Sequence, residues 1–338
     1  MSYLKTLPET RIISVHLGHT DLQGETDFPV EYYRIPNPSG FLKIGVILRH
    51  LLQIRRLYPG TAVLLPNHLN DLLLGILSLF FYPKNITWFM DDFYQGQKKT
   101  IKTKFGMWLF GRLYRSTQIR IVVSQYMARA FEGRYRLSPE LVLQKRWPVL
   151  AIDQRDRPNI RAEKIRIAWV GTLLSHYTEP LKALDRLLPK DIEIDLWGMG
   201  QGDFKHIRHR GVFQDRELAN ILRDYDFALL TYSFDANTQG FMSTSLPGKL
   251  VDYLACGMPV ISIGPSSLAV MADLKEREVG PLVFGLEDAE IQNLFQTLRV
   301  STPAQRAKWS KNSLTWAKKD FDWNSGVQAF RAAYEGLR

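Results

Sequence analysis

Residues Ser243–Ile263 read STSLPGKLVDYLACGMPVISI, and this stretch decides the fold class. A polar, proline-containing lead-in gives way to a short helical pattern, and an unbroken apolar run, Pro259–Ile263, follows at once. Ser245 is read as the N-cap, Pro247 as a first-turn residue, and Gly257 with Pro259 as the stop. A helix feeding directly into an apolar strand is part of an alternating α/β chain. On that helix Lys249, Asp252, Tyr253 and Cys256 fall at i, i+3, i+4 and i+7, along one face. First-turn amides beside Lys249 suit a phosphate or pyrophosphate. Asp252, one turn further on, is placed to accept hydrogen bonds from ribose hydroxyls. The same spacing also describes a plain amphipathic helix with Lys249 and Asp252 as a surface pair.

The alternation extends in both directions. Strand candidates are Arg11–His16, Ala62–Leu65, Ile86–Met90 and Ile119–Ser124 in the first half, and Ile165–Val170, Ile192–Trp197, Phe227–Thr231 and Pro259–Ile263 in the second. Several are continuous apolar runs, as parallel strands covered on both faces require. Helix-like segments separate them: Phe41–Leu57, Leu69–Phe81, Gln125–Tyr135, Thr178–Leu188 and Glu217–Asp224. This predicts a doubly wound α/β protein. With 338 residues, two domains are expected, and the polar segment Ala151–Lys164 is the best linker. The expected division is 1–155, an N-terminal Rossmann-like domain; 156–320, a second one; and 321–338, a helix that can pack back on the first.

Lys and Arg total 44 against 34 Asp and Glu, a net charge of +10. Residues 1–160 hold 22 basic and 12 acidic residues, whereas the rest hold 22 of each, so the whole excess lies in the N-terminal half. The two halves therefore face different partners. A single cysteine, Cys256, excludes an internal disulfide and a Cys-based zinc cluster, and fits a reducing cytoplasm. The N-terminal residues lack the apolar core of a signal peptide. The most apolar run, Leu72–Tyr82, falls short of the roughly 20 residues a membrane span needs. Gly198, Gly200 and Gly202 fail as a dinucleotide fingerprint, since Asp203 occupies the third glycine position. His206 and His209 have neither acids nor cysteines nearby, so no metal site is expected.

The pattern S-x-P-x-K-L-x-D-Y-L-A-C-G-x-P-V over residues 245–260 resembles the donor-binding helix of GT-B glycosyltransferases, particularly the family-4-like enzymes (glycosyl transferases group 1). The resemblance continues in family order. It takes in Ala168–Leu173 (AWVGTL), Leu196–Gly202 (LWGMGQG), Gly211–Leu218 with Asp226–Leu230, Ser266–Gly280, and the terminal Phe321–Leu337. It implies two Rossmann-like domains facing a central cleft, with a nucleotide diphosphate sugar on the C-terminal one. Lys249 would contact the diphosphate and Asp252 the ribose, with Gly171, Thr172, Gly198, Phe213 and Ser245 completing the donor site. A UDP-sugar is favoured, with a GDP-sugar as the alternative, and no further cofactor is required. His176 stands where the family often uses a basic residue near phosphate. Retaining members typically carry Glu eight residues before the ribose-binding acid; here that position is Thr244.

In the N-terminal half, Trp88–Phe93 (WFMDDF) and Val122–Met127 (VVSQYM) resemble the acceptor domain more loosely. Asp91 and Asp92 follow a strand candidate, and ligands of open α/β sheets gather at the carboxyl ends of strands. A turn or helix cap is the plain reading of such a pair. The resemblance favours one of them, Asp92 before Asp91, as the base that takes the acceptor hydroxyl's proton. His16 and His68 are candidate acceptor contacts, with structural roles as the alternative. The implied acceptor is a lipid-linked or polysaccharide glycan intermediate.

Lys98–Arg120 carries seven basic residues, no acid, and interleaved aromatics at Phe105, Trp108, Phe110 and Tyr114. It suits an anionic membrane surface or, equally, a basic helix face whose aromatics turn inward. Without a nucleic-acid motif, no nucleic-acid partner is expected. The expected protein is thus a cytoplasmic glycosyltransferase, peripheral on the inner membrane face. A non-catalytic GT-B scaffold is the runner-up, and a basic nucleic-acid-binding protein a third reading.

Overall fold

The computed structural model describes residues 12–17, 30–35, 42–57, 62–64, 69–89, 100–144, 164–200, 202–214 and 217–337. The chain divides into two compact units, Met1–Leu143 together with Asn324–Arg338, and Gln144–Trp323.

The first unit runs β1 (Ile12–Leu17), β2 (Val30–Ile35), α1 (Leu42–Leu57), β3 (Ala62–Leu64), α2 (Leu69–Leu79), β4 (Asn85–Phe89), α3 (Ile101–Ser116), β5 (Ile119–Val122), α4 (Gln125–Tyr135) and β6 (Leu141–Val142). β1 and β2 form a parallel pair, and β3-β4-β5-β6 a four-stranded parallel sheet in sequential order. β4 and β5 are buried along their whole length, which is why they read as unbroken apolar runs. One aromatic cluster covers them. Phe89 on β4 lies 5.0 Å from Phe110 and 5.2 Å from Tyr114 of α3, and 6.0 Å from Phe131 of α4. α3 starts in a capping box, with the Thr100 and Thr103 side chains each accepting from the other's backbone N–H.

Arg120 departs from the expected basic surface. It is 8% exposed on β5, pairs with Glu140, and donates to the Thr117 carbonyl at 2.9 Å. Its charge is satisfied inside the first unit and is not presented outward. Phe110 and Tyr114 likewise turn inward, while Phe105 and Trp108 stay on the outer face at 51% and 62% exposure.

The second unit contains β7 (Ile165–Val170), α5 (Ser175–Leu187), β8 (Ile192–Trp197), β9 (Arg208–Gly211), α6 (Leu218–Arg223), β10 (Phe227–Thr231), α7 (Ala236–Met242), α8 (Gly248–Ala255), β11 (Val260–Ile263), α9 (Ala269–Arg277), β12 (Leu282–Val283), α10 (Asp288–Val300) and α11 (Pro303–Asp320). Its six strands pair in parallel in the order β12-β11-β10-β7-β8-β9, with crossover at β7, the doubly wound pattern. β10 and β11 are buried throughout, and the core continues through Trp169, Leu181, Leu184, Phe227 and Trp309.

β9 is the exception to burial. It is an edge strand of sequence RHRG, held by charge rather than by apolar contact. Asp195, fully buried on β8, accepts from Arg208 Nε at 2.9 Å and the Tyr225 hydroxyl at 2.8 Å, and lies 3.1 Å from Arg210 Nε. Charged edge strands of this kind also resist pairing with other chains.

α5 starts at Ser175, three residues before the expected Thr178, and so encloses Pro180 in its second turn. A proline there removes one backbone donor, which is tolerable close to a helix start. The last helix, α12 (Trp323–Glu335), returns its Phe330 to the first unit, where the ring lies 6.4 Å from that of Trp88.

Candidate functional site

The carboxyl ends of β7 and β8 carry two turns that approach each other too closely for any side chain. Gly171, directly after β7, has φ +129° and Gly198, directly after β8, has φ +134°. A Cβ on Gly198 would lie 2.0 Å from the Gly171 carbonyl oxygen. The Gly171 N–H donates to the Trp197 carbonyl at 2.8 Å, the Gly198 N–H to that of Gly211 at 2.8 Å, and the Leu173 N–H to that of Met199 at 2.8 Å. The turns are thus locked to one another through backbone groups alone.

Lys249 lies against this junction, and a Cβ on Gly171 would come within 3.3 Å of both its Cε and Nζ. It occupies the first turn of α8. That helix begins at Gly248 with Pro247 as its N-cap, at φ −62° and ψ 133°, and no side chain caps it. The expected N-cap, Ser245, lies two residues before the observed one. Part of the reason is tertiary: the Leu246 carbonyl accepts a bond from Gln144 Nε2 at 2.7 Å, so the lead-in stays extended. An uncapped first turn leaves amide donors for an external anion.

The Lys249 ammonium is buried and makes no hydrogen bond among the described residues. It sits 3.6 Å from the Trp169 ring centroid and 4.3 Å from that of Tyr177. Cation–π contact offsets part of the lost hydration. Burial still lowers its pKa to about 7. Asp252, one turn on, is only 7% exposed. The two residues are therefore no surface pair, and that alternative is set aside.

Tyr253 fixes the helix. Its hydroxyl accepts from the Val170 N–H at 2.8 Å and donates to the Leu229 carbonyl at 3.2 Å, tying α8 to β7 and β10. Burial raises its pKa, so it stays a neutral donor. At the other end Gly257 has φ +63°, and Ser310 and Ser313 of α11 donate to the Gly257 and Met258 carbonyls at 2.5 and 2.8 Å.

Of the residues expected from sequence, Gly171, Gly198 and Lys249 come together, and Asp252 shares α8 with Lys249. Thr172 is exposed in the turn after β7, Phe213 is half-buried after β9, and Thr244 is buried before α8. His176 lies on α5 and His16 on β1, but their side chains are outside the described residues, as are Asp91, Asp92 and His68 altogether. His206 gives its backbone N–H to Asp185 at 2.7 Å, and His209 is exposed on β9. No group of three metal-ligating side chains occurs among the described residues. Trp169, Tyr177 and Tyr253 were not given roles by the sequence, since what each touches lies on another element.

Comparison with known proteins places this geometry. No described family's sequence profile matches the chain, and no curated protein sequence does. Solved structures do. HepE of Anabaena, in complex with UDP and glucose, superposes with a TM-score of 0.68 at 15% identity, over 90% of this chain and 86% of its own. Sucrose-phosphate synthase of Thermosynechococcus elongatus gives 0.66 at 14%, over 90% and 80%. A glycosyltransferase of Rickettsia africae gives 0.62 at 12%, over 91% and 85%. The chain has the α/β fold of the GT-B glycosyltransferases, built on parallel sheets.

Proposed function

We propose that this protein is a glycosyltransferase that moves a sugar from a nucleotide diphosphate sugar, a UDP-sugar in first preference, to a hydroxyl of a glycan or lipid-linked acceptor. The observation that carries the reading is the buried, hydrogen-bond-free Lys249 ammonium beneath the Gly171 turn and beside the uncapped α8. Such an ion calls for an anion, and the surrounding donors are backbone amides, as for a diphosphate. The fold it shares with HepE, a protein solved with UDP and glucose, supports the same donor class.

In this reading the 144–323 unit holds the donor. Lys249 and the α8 amides stabilise the charge that develops on the diphosphate as the glycosidic bond breaks. Asp252 accepts from the ribose hydroxyls, and Thr172, Phe213 and Ser245 line the donor. The first unit takes the acceptor, with Asp92 or Asp91 removing its proton and His16 and His68 as further contacts. Binding is read by thermal shift and calorimetry against UDP, GDP, ADP, dTDP and their sugars. Lys249→Ala is expected to weaken nucleotide-sugar binding by about 1–3 kcal/mol, and Asp252→Asn to weaken it too. Unchanged affinity in both variants would remove the donor site from α8. Binding without turnover on any acceptor would favour the scaffold reading.

The outer face of α3 supports a membrane surface as the place of work. Ile101, Phe105 and Trp108, spaced i, i+4 and i+7, are 89%, 51% and 62% exposed, and the last two rings stack at 5.9 Å. Lys104, Arg112 and Arg115 are exposed on the same helix. No helix among the described residues is long and apolar enough to cross a membrane. An aromatic, basic outer face fits peripheral docking on an anionic leaflet, where each cation adds about 1 kcal/mol. Wild type is expected to sediment with phosphatidylserine liposomes at low salt and to be released at high salt. Phe105→Ser with Trp108→Ser should leave it in the supernatant. Wild type that never pellets, or a double variant that pellets equally, would refute docking through α3.

A further inference from the structure

Lys249 has company that the donor reading does not explain. Trp169, next to last in β7, sets its ring against the ammonium and donates its indole N–H to Thr231 Oγ1 at 3.2 Å, which fixes the ring plane. Tyr177 of α5 meets Trp169 edge-on, ring centroids 5.8 Å apart at 65°, and offers a second ring to the ion. The two rings and the missing Cβ of Gly171 leave a slot shaped for an ammonium and closed to water.

We propose that Trp169 and Tyr177 are positioning residues that seat Lys249 in this slot, so that a diphosphate arriving at the Gly171 turn brings a proton onto Lys249 as it binds. The proposal rests on the donor reading above and deepens it. A buried ammonium that meets ring faces in place of hydrogen-bond acceptors is held in its charged form weakly, and burial is the cause acting on it. Tyr177 from α5 is the ionisable group against it and β7 brings Trp169, while Asp252 and Tyr253 share its helix. Tyr253 is kept neutral by burial. His176 adjoins Tyr177 in the chain and is the competing source of a proton near neutral pH.

The signs follow from linkage. With a pKa of about 7 in the free protein, Lys249 is mostly neutral at pH 8 and mostly charged at pH 6. A bound diphosphate raises that pKa, so binding takes up close to one proton at pH 8 and almost none at pH 6. Above neutrality, affinity should fall about tenfold per pH unit.

Two measurements test this. The first needs no ligand: in protein labelled with 13Cε-lysine, one resonance, missing from Lys249→Met, should titrate near pH 7. In Tyr177→Leu and in Trp169→Phe, which keeps a smaller ring, that midpoint should rise by about one unit or more as water enters. The second is calorimetry with UDP-glucose and GDP-mannose, whose diphosphates do not ionise near neutrality, in MES and imidazole buffers at pH 6 and HEPES and Tris buffers at pH 8. Proton uptake at pH 8 should be near one in wild type and in His176→Gln, and reduced at least twofold in Tyr177→Leu. A Lys249 resonance that titrates in the ordinary lysine range, uptake that vanishes in His176→Gln, or unchanged uptake in Tyr177→Leu would each overturn the seat. Failure of both nucleotide sugars to bind, with Lys249 titrating near 7, would count against the donor reading and leave the seat standing.

Discussion

Gly198→Ala is expected to be the most damaging single-methyl change in the 144–323 unit. The added carbon would sit 2.0 Å from the Gly171 carbonyl oxygen and 2.7 Å from its carbonyl carbon, both backbone atoms that cannot rotate away. The residue also has φ +134°, a region that costs an L-residue about 1–3 kcal/mol. Relieving the contact means parting the β7 and β8 turns, which breaks the Gly171–Trp197 and Leu173–Met199 bonds at about 1 kcal/mol each. A loss of roughly 3–5 kcal/mol is a large share of a domain's usual 5–15 kcal/mol, and nucleotide-sugar binding should go with it. Gly133→Ala is the control: it lies inside α4 with open space around it, and should be neutral or stabilising by up to about 1 kcal/mol. Urea unfolding of both variants decides. A Gly198→Ala midpoint equal to wild type would mean that the two turns do not interlock.

That junction shows what a sequence can and cannot say. Buried parallel strands announce themselves, because both faces need apolar side chains; β4, β7, β8, β10 and β11 begin within a residue of their expected starts. β9 does not, since its residues are charged and its stability comes from Asp195 and Glu193 on the neighbouring strand. Arg120 is the converse case. Counted as part of a basic run, Arg120 is buried and paired with Glu140, so charge along the chain overstated charge on the surface.

The site divides in the same way. That Lys249 and Asp252 share one helix is legible because their spacing is local. The N-cap was misplaced because its competitor, the Gln144 bond to Leu246, spans 102 residues. Val170 and Tyr253 are 83 residues apart, and no local rule connects them. Groups that position a site act across elements, and local spacing is silent about them.

Asp92→Asn should lower turnover by something like 10²–10⁴-fold while leaving nucleotide-sugar affinity at the wild-type level, the signature of a lost general base. β4, which Asp91 and Asp92 follow in the chain, is an inner strand of a parallel sheet, paired with β3 and β5. The carboxyl ends of such strands are where ligands of open α/β sheets collect. Carboxylates are also scarce in their half of the chain, where residues 1–160 hold 12 acidic residues against 22 basic ones. An ionised carboxylate can accept a proton from a sugar hydroxyl. Asp91→Asn separates the pair: the base is whichever single change removes turnover, and a structural cap would instead lower the unfolding midpoint. Wild-type turnover in both variants would pass the role to His16 or His68. The distinction from Lys249 is kinetic, because a base in the first unit alters kcat at fixed donor affinity, whereas the Lys249 seat alters the affinity itself.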